Sequence, residues 1–369
     1  MKKLYLIFPA FILVFGLSIK SVYGLTPSVV FINPGKTGEV FWDMVSEFMQ
    51  QAGEQLSIDL SIYNAERDHI KMTKIADRVA NSATPPQYMI LVNEKGFASR
   101  ILPKIPKKIK IILLNNGLSK EEREKYGGPR EIFPNWLATV VPDHKKAGED
   151  IMIKLIEEFY QEHQINSQSE LGLIAIGGNK STIASQLRLA GMREVIEKYK
   201  NIRLYQTIYS EWRKDKAHKQ IFGLIRRWPK TRFIWAANDP MALGALSAVK
   251  LRKYHPGKSV FIGGLNMSNA ALEMVKAGEM TVTVGGHFML GGWILVMIYD
   301  EYRGKDFADL GGMITIPMNI ISKTNVSNYM KAFGDQKWGK INFKKFSRIG
   351  LAVSNQYDFS LQKLLLEQN

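Results

Sequence analysis

The chain has 369 residues, 46% of them hydrophobic, no cysteine and a formal net charge of +16. That length holds two domains with cores of their own, and the lack of cysteine excludes thiol catalysis, cysteine-based metal sites and disulfides. The basic balance admits nucleic-acid binding, yet the charges are scattered over loops and tail, as at Lys104, Lys107, Lys108, Lys344 and Lys345. A solvated basic surface accounts for them, as does one lying near anionic lipid.

Lys2 and Lys3 precede an apolar run over 4–19, and the small residues Val22 and Gly24 follow. The pattern predicts an export signal over 1–24, cleaved before Leu25; the alternative is an uncleaved membrane anchor. A strand is then expected at 29–32 and a helix at 41–53, from the spacing of Phe41, Val45, Phe48 and Met49. A strand over 56–63 ends at Asn64, and a helix over 70–82 is broken by Thr84-Pro85-Pro86. Strands follow at 88–92 and 110–114. The polar stretch 117–134 reads as a surface loop, and 140–143 leads into a helix over 145–163.

A second series of similar units starts near Leu171. Strands are expected at 172–177, 203–209, 232–236, 260–262 and 281–284. Helices are expected at 183–200, 214–228, 240–254, 269–277 and 288–302, and a last strand at 313–316. The alternation predicts two doubly wound parallel-sheet α/β lobes joined by a hinge. The first lobe is expected over 25–142, the second over 143–286, and a return to the first lobe and hinge over 287–322. Residues 323–369 lack the βαβ rhythm and read as a tail packing across the lobes.

Five of the strands end on Asn or a Gly pair, at Asn93, Asn115, Gly177-Gly178, Asn238 and Gly263-Gly264. Each is an unalternating apolar run, as a strand buried on both faces requires. Ligands in open α/β sheets sit at the carboxyl ends of strands, and amide side chains there both donate and accept. Such a pocket suits a polyhydroxylated ligand. The Gly177-Gly178-Asn179-Lys180-Ser181-Thr182 run departs from a phosphate loop, because Asn precedes the Lys. Its Gly pair would instead let backbone N–H groups approach a ligand.

In Asn238-Asp239-Pro240, Asp239 reads as a helix N-cap and Pro240 as the first helical residue. That leaves Asn238 to face the crevice. Arg188 is either a solvated helix charge or a multi-donor clamp on oxygen atoms. Phe41, Trp42 and Trp212 are either core residues or platforms for a sugar ring. The six histidines show no zinc spacing, and no nucleophile elbow occurs, so no metal, cofactor or catalytic set is expected.

The run Asn238-Asp239-Pro240-Met241-Ala242-Leu243-Gly244-Ala245 resembles the signature of type I periplasmic sugar-binding proteins of the ribose-binding group. Arg188-Leu189-Ala190-Gly191-Met192 is similar to the segment carrying that family's ligand-clamping Arg. The stretch from Pro34 to Trp42 and the long tail also resemble the periplasmic receptor for autoinducer-2. The resemblance runs from about Val29 to Ile321. It implies that Phe41 and Trp42 sandwich the ligand and that Asn93 and Asn115 bind hydroxyls from the first lobe. It implies second-lobe contacts from Arg188, Trp212, Asn238 with Asp239, and Asn266. Positions 115 and 266 are usually Asp in the ribose group, and Gly285-Gly286 lacks the family's polar side chain, for which His287 substitutes.

The implied function is a non-enzymatic periplasmic receptor. It would close on a sugar-like small molecule, either a neutral sugar or a sugar acid, and deliver it to an ABC importer. The alternative is a sensory receptor signalling to a membrane kinase or cyclase. Neither involves nucleic acid.

Overall fold

The structure, a computed structural model, describes residues 26–163, 169–349 and 356–367. The expected export signal lies outside the described residues. The first series of elements is β1 (Ser28–Asn33), α1 (Val40–Leu56), β2 (Asp59–Asn64), α2 (His69–Ala80), β3 (Tyr88–Leu91), α3 (Phe97–Ile101), β4 (Lys110–Leu114), α4 (Lys120–Tyr126) and β5 (Trp136–Pro142). The second runs α5 (His144–His163), β6 (Leu171–Gly177), α6 (Ile183–Ile196), β7 (Ile202–Tyr209), α7 (Lys214–Arg227), β8 (Thr231–Ala236), α8 (Asp239–Leu251), β9 (Phe261–Asn266), α9 (Asn269–Lys276) and β10 (Val282–Gly285). The chain ends through α10 (Leu290–Tyr302), β11 (Met313–Ile316), β12 (Asn319–Ser322), α11 (Val326–Phe333) and α12 (Leu361–Leu366).

Two six-stranded sheets result, in the orders β11-β5-β4-β3-β1-β2 and β12-β10-β9-β8-β6-β7. Every pairing is parallel except that of β12 with β10. The fully buried runs at β3, β6 and β9 fit sheets covered on both faces by helices. Two doubly wound α/β lobes are therefore present.

Three stretches differ from the sequence reading. Residues 117–134 are not all loop, because α4 forms within them. Ser119 Oγ accepts from Glu122 N at 3.2 Å while Glu122 Oε2 accepts from Ser119 N at 2.8 Å, a reciprocal cap. The helix buries no residue, so it lacks the apolar period that betrays a helix in sequence. The strand expected from residue 56 starts at Asp59, because α1 runs through Leu56 and stops where Ser57 turns left-handed (φ +54°). Finally, 287–322 does not return wholly to the first lobe. There, α10 packs on α1 and β11 pairs with β5, but β12 crosses back and pairs with β10 in the second sheet.

The tail bridges the two lobes. Val326, Tyr329 and Phe333 of α11 are buried where the helix packs on α9 and β12. Trp338 is 2% exposed, with its ring 5.5 Å from Phe333, 5.1 Å from Phe288 and 5.6 Å from Phe48 of α1. Further on, Asp300 of α10, fully buried, accepts from Ser347 Oγ, from Arg348 N at 2.7 Å and from Tyr357 Oη at 2.9 Å. Trp293 stacks on Phe359 at 4.9 Å.

Trp338→Ala removes the ring that joins α11 to α1. It is expected to cost about 3–5 kcal/mol in urea unfolding, and a loss below about 1 kcal/mol would show a loosely docked tail.

Candidate functional site

The carboxyl ends of both sheets face one cleft, and a cavity lies in it between the lobes. Trp42 and Asn115 line it from the first lobe, and Arg188, Trp212, Asn238 and Asn266 from the second. Phe41 and His287 meet across the cleft with rings stacked at 4.4 Å. Asn115 (φ +65°) and Trp212 (φ +64°) lie in the left-handed region where their strands end, a backbone cost that clusters at functional sites.

Arg188 is held from behind by close helix packing. A Cβ on Gly148 of α5 would lie 2.0 Å from the Arg188 carbonyl oxygen, and one on Gly191 of α6 would lie 2.0 Å from that of Lys145. Only paired glycines let these helices approach so closely, and that approach aims Arg188 into the cleft. The guanidinium is 3% exposed and is not a surface charge. Its Nε donates to His144 Nδ1 at 3.3 Å, Nη1 to the Ala237 carbonyl at 2.7 Å, and Nη2 meets His287 Nε2 at 3.4 Å.

These contacts set both histidine tautomers. His144 accepts at Nδ1 and so donates from Nε2 to the Asn115 carbonyl at 3.1 Å, which ties the second lobe's first helix to the first lobe. His287 accepts at Nε2, so its proton sits on Nδ1. Burial, then the charge of Arg188, pushes both rings well below the usual histidine value, keeping them neutral. Burial also lowers Arg188 to about 9, so it stays cationic at neutral pH.

Asn238 lines the cavity as expected and also takes the capping role expected of Asp239. Asn238 is the N-cap of α8: its Oδ1 accepts from Met241 N at 2.9 Å, while Nδ2 donates to the Trp212 carbonyl at 3.2 Å. Asp239 caps nothing and does not line the cavity. Fully buried, it accepts from Ser268 N and Oγ, both at 2.9 Å, and from Thr283 Oγ1 at 2.8 Å. Its carboxyl is raised to about 6 by burial against those donors and Arg188, so it is ionised at pH 7 and balances Arg188.

Asn93 likewise does not line the cavity. Its Nδ2 donates to the Gly117 carbonyl at 3.0 Å and to Glu122 at 2.7 Å, and its Oδ1 accepts from Ala98 N at 2.9 Å. The next residue, Glu94, lines the cavity instead. The Gly177-Gly178 pair also serves another purpose. Gly178 N donates to Ser185 Oγ at 3.0 Å, and a Cβ on Gly178 would lie 2.2 Å from the Trp212 ring. Gly178 thereby seats the Trp212 ring.

Several buried polar atoms on the cavity lack any partner: Trp42 Nε1, His287 Nδ1, Asn115 Oδ1 and Asn116 Oδ1. Two are donors and two are acceptors, and buried polar groups are seldom left unpaired. His144, Asn116, Glu39, Arg67 and Glu94 escaped the sequence reading. Glu94 and Asn116 each directly follow a strand-end Asn, the one signal that marked them. No group of acidic and histidine residues suited to a metal ion occurs among the described residues.

Residues 29–306 match the family model described as a periplasmic binding protein domain, and the chain belongs to that family. It is similar to the D-allose-binding periplasmic protein of Escherichia coli K12, with 25% identity over 259 residues, 66% of this chain and 74% of the relative. The ribose import binding protein of Haemophilus influenzae is 23% identical over 290 residues, 77% of this chain and 87% of that one. Among solved structures, a periplasmic sugar-binding protein from Pseudomonas fluorescens shares 33% identity at a TM-score of 0.83, covering 92% of this chain and 99% of that one.

Asn238→Ala is expected to cost about 1 kcal/mol as a lost cap. Asp239→Ala leaves Arg188 uncompensated and is expected to cost about 3–5 kcal/mol. Urea unfolding of ligand-free protein measures both, and the reverse order would return the capping role to Asp239.

Stability is also expected to fall in acid. Unfolded histidines take protons near 6.5, whereas buried His144 and His287 resist them, so stability is full above that value and declines below it. Asp239 acts in the opposite sense, since between 3.8 and about 6 the folded state takes its proton first; Glu94, raised by burial, does the same. Unfolding at pH 7.5 and 5.5 is expected to show a loss that shrinks in His144→Gln/His287→Gln. An unchanged loss would exclude these rings as its source.

Proposed function

We propose that this protein is a periplasmic receptor that closes its two lobes on one sugar-like ring and presents the closed form to an ABC importer. One observation carries the reading. Unpaired donors and acceptors from both lobes converge on a single cavity bordered by Phe41, Trp42 and Trp212. Such a set fits a ring with hydroxyls on its rim and C–H groups on its faces. Asn115, Arg188, Asn238, Asn266 and His287 are the polar contacts in this reading. The names of the allose-binding and ribose import relatives support both the ligand class and delivery for import. The basic and then apolar N-terminal stretch supports export to the periplasm.

The electrostatics favour a ligand without negative charge over a sugar acid. Arg188 is balanced by Asp239 beneath it, and Arg67 is paired with Glu39 and faces Glu94. Both guanidinium groups that line the cavity therefore already face a carboxylate.

A thermal-shift screen with D-allose, D-ribose, L-arabinose, myo-inositol, D-glucuronate and amino acids tests this reading, since melting temperature reports binding by linkage. A shift is expected with a sugar or polyol, and Trp212→Ala should weaken that binding by about 2 kcal/mol. A response confined to amino acids would show the amide-rich pocket to be misread.

A further inference from the structure

At the first-lobe wall of the cavity, one cation stands between two carboxylates. Arg67 Nε donates to Glu39 Oε2 at 2.9 Å and Nη2 bonds the other Glu39 oxygen, so the guanidinium's paired edge is spent on Glu39. Glu94 is reached by Arg67 Nη1 only at 3.6 Å, too long for a hydrogen bond. The Glu94 side chain is 8% exposed and accepts no hydrogen bond among the described residues. Lys95, its neighbour, is exposed to solvent. On the opposite wall Arg188 and Asp239 balance, and both histidines are neutral. Counted with Asp239 behind Arg188, three carboxylates therefore stand around the cavity against two guanidinium groups, and the Glu94 carboxylate is the one that accepts no hydrogen bond from a described residue.

Holding such a group with one shared ion pair and no hydrogen bond is costly. Burial raises the Glu94 carboxyl above the usual range, and the charges of Arg67 and Lys95 offset it only in part. Asn93 cannot take its place at the ligand, because three hydrogen bonds tie its amide to α3, to Gly117 and to Glu122.

We infer that Glu94 is the specificity-determining residue of the first lobe and that the ligand presents a protonated amino group to it, as an amino sugar or aminocyclitol does. This rests on the reading of the cleft as a site for a sugar-like ring. An ammonium supplies both the missing charge and up to three donors, and its charge-assisted bonds to the carboxylate are stronger than those of a hydroxyl. A carboxylate or phosphate at the same place would meet Glu94 with like charge.

Calorimetric titration of the purified protein and of Glu94→Gln tests the inference. The probes are D-glucosamine, D-galactosamine and D-mannosamine, set against D-glucose, D-galactose, D-mannose and D-glucuronate. An amino compound is expected to bind at least about tenfold tighter than its hydroxyl counterpart, which is 1.4 kcal/mol. Glu94→Gln should erase that ratio. Equal affinities in the wild type, a preference that survives Glu94→Gln, or tightest binding of D-glucuronate would overturn it. A neutral sugar that binds with no amino preference defeats this inference alone. Silence from all three classes defeats the sugar-site reading as well.

Discussion

Everything in the cleft is arranged around the burial of Arg188. A guanidinium 3% exposed is tolerable only if its charge is answered and its donors are used. Asp239 answers the charge without touching the ligand space. His144, His287 and the Ala237 carbonyl take three of the five N–H groups, which leaves two for the cavity. The same contacts fix the two imidazole tautomers. One of them thereby presents a free Nδ1–H to the cleft, and the other binds the backbone of the opposite lobe. A single buried cation thus determines the donor pattern of the site.

That arrangement links stability to binding. Asn115 reaches His144 through its carbonyl and leaves its amide oxygen open. Phe41 stacks on His287 from the other lobe. The lobes therefore already share contacts, yet they retain unpaired polar atoms. A ligand favours closure only by contacts that the open form lacks, and these atoms, contributed by both lobes, are of that kind.

The tail adds a constraint outside the matched span 29–306. The aromatic contact from Phe333 through Trp338 to Phe48 passes from a helix docked on the second lobe to one in the first. After the crossings that follow β5, β10 and β11, the tail is one more passage of the chain between the lobes. Relative motion of the lobes must keep this cluster packed or break it.

Fold class was legible in the sequence because buried parallel strands are unalternating apolar runs and amphipathic helices separate them. It failed where that signal is missing, at α4, which buries no residue, and at β12, a short strand set by its partner β10. The strand-end amides, Arg188 and the aromatics were legible as types at positions where ligands gather. That Glu94 rather than Asn93 would face the cleft was not. Asn93 was taken by Glu122 and Gly117, leaving the cavity to Glu94, and Asn238 took the cap that Asp239 could have made. Local sequence limits such choices to adjacent residues. Only the hydrogen-bond partners brought from distant elements decided between them, because a buried polar atom goes where its partner is.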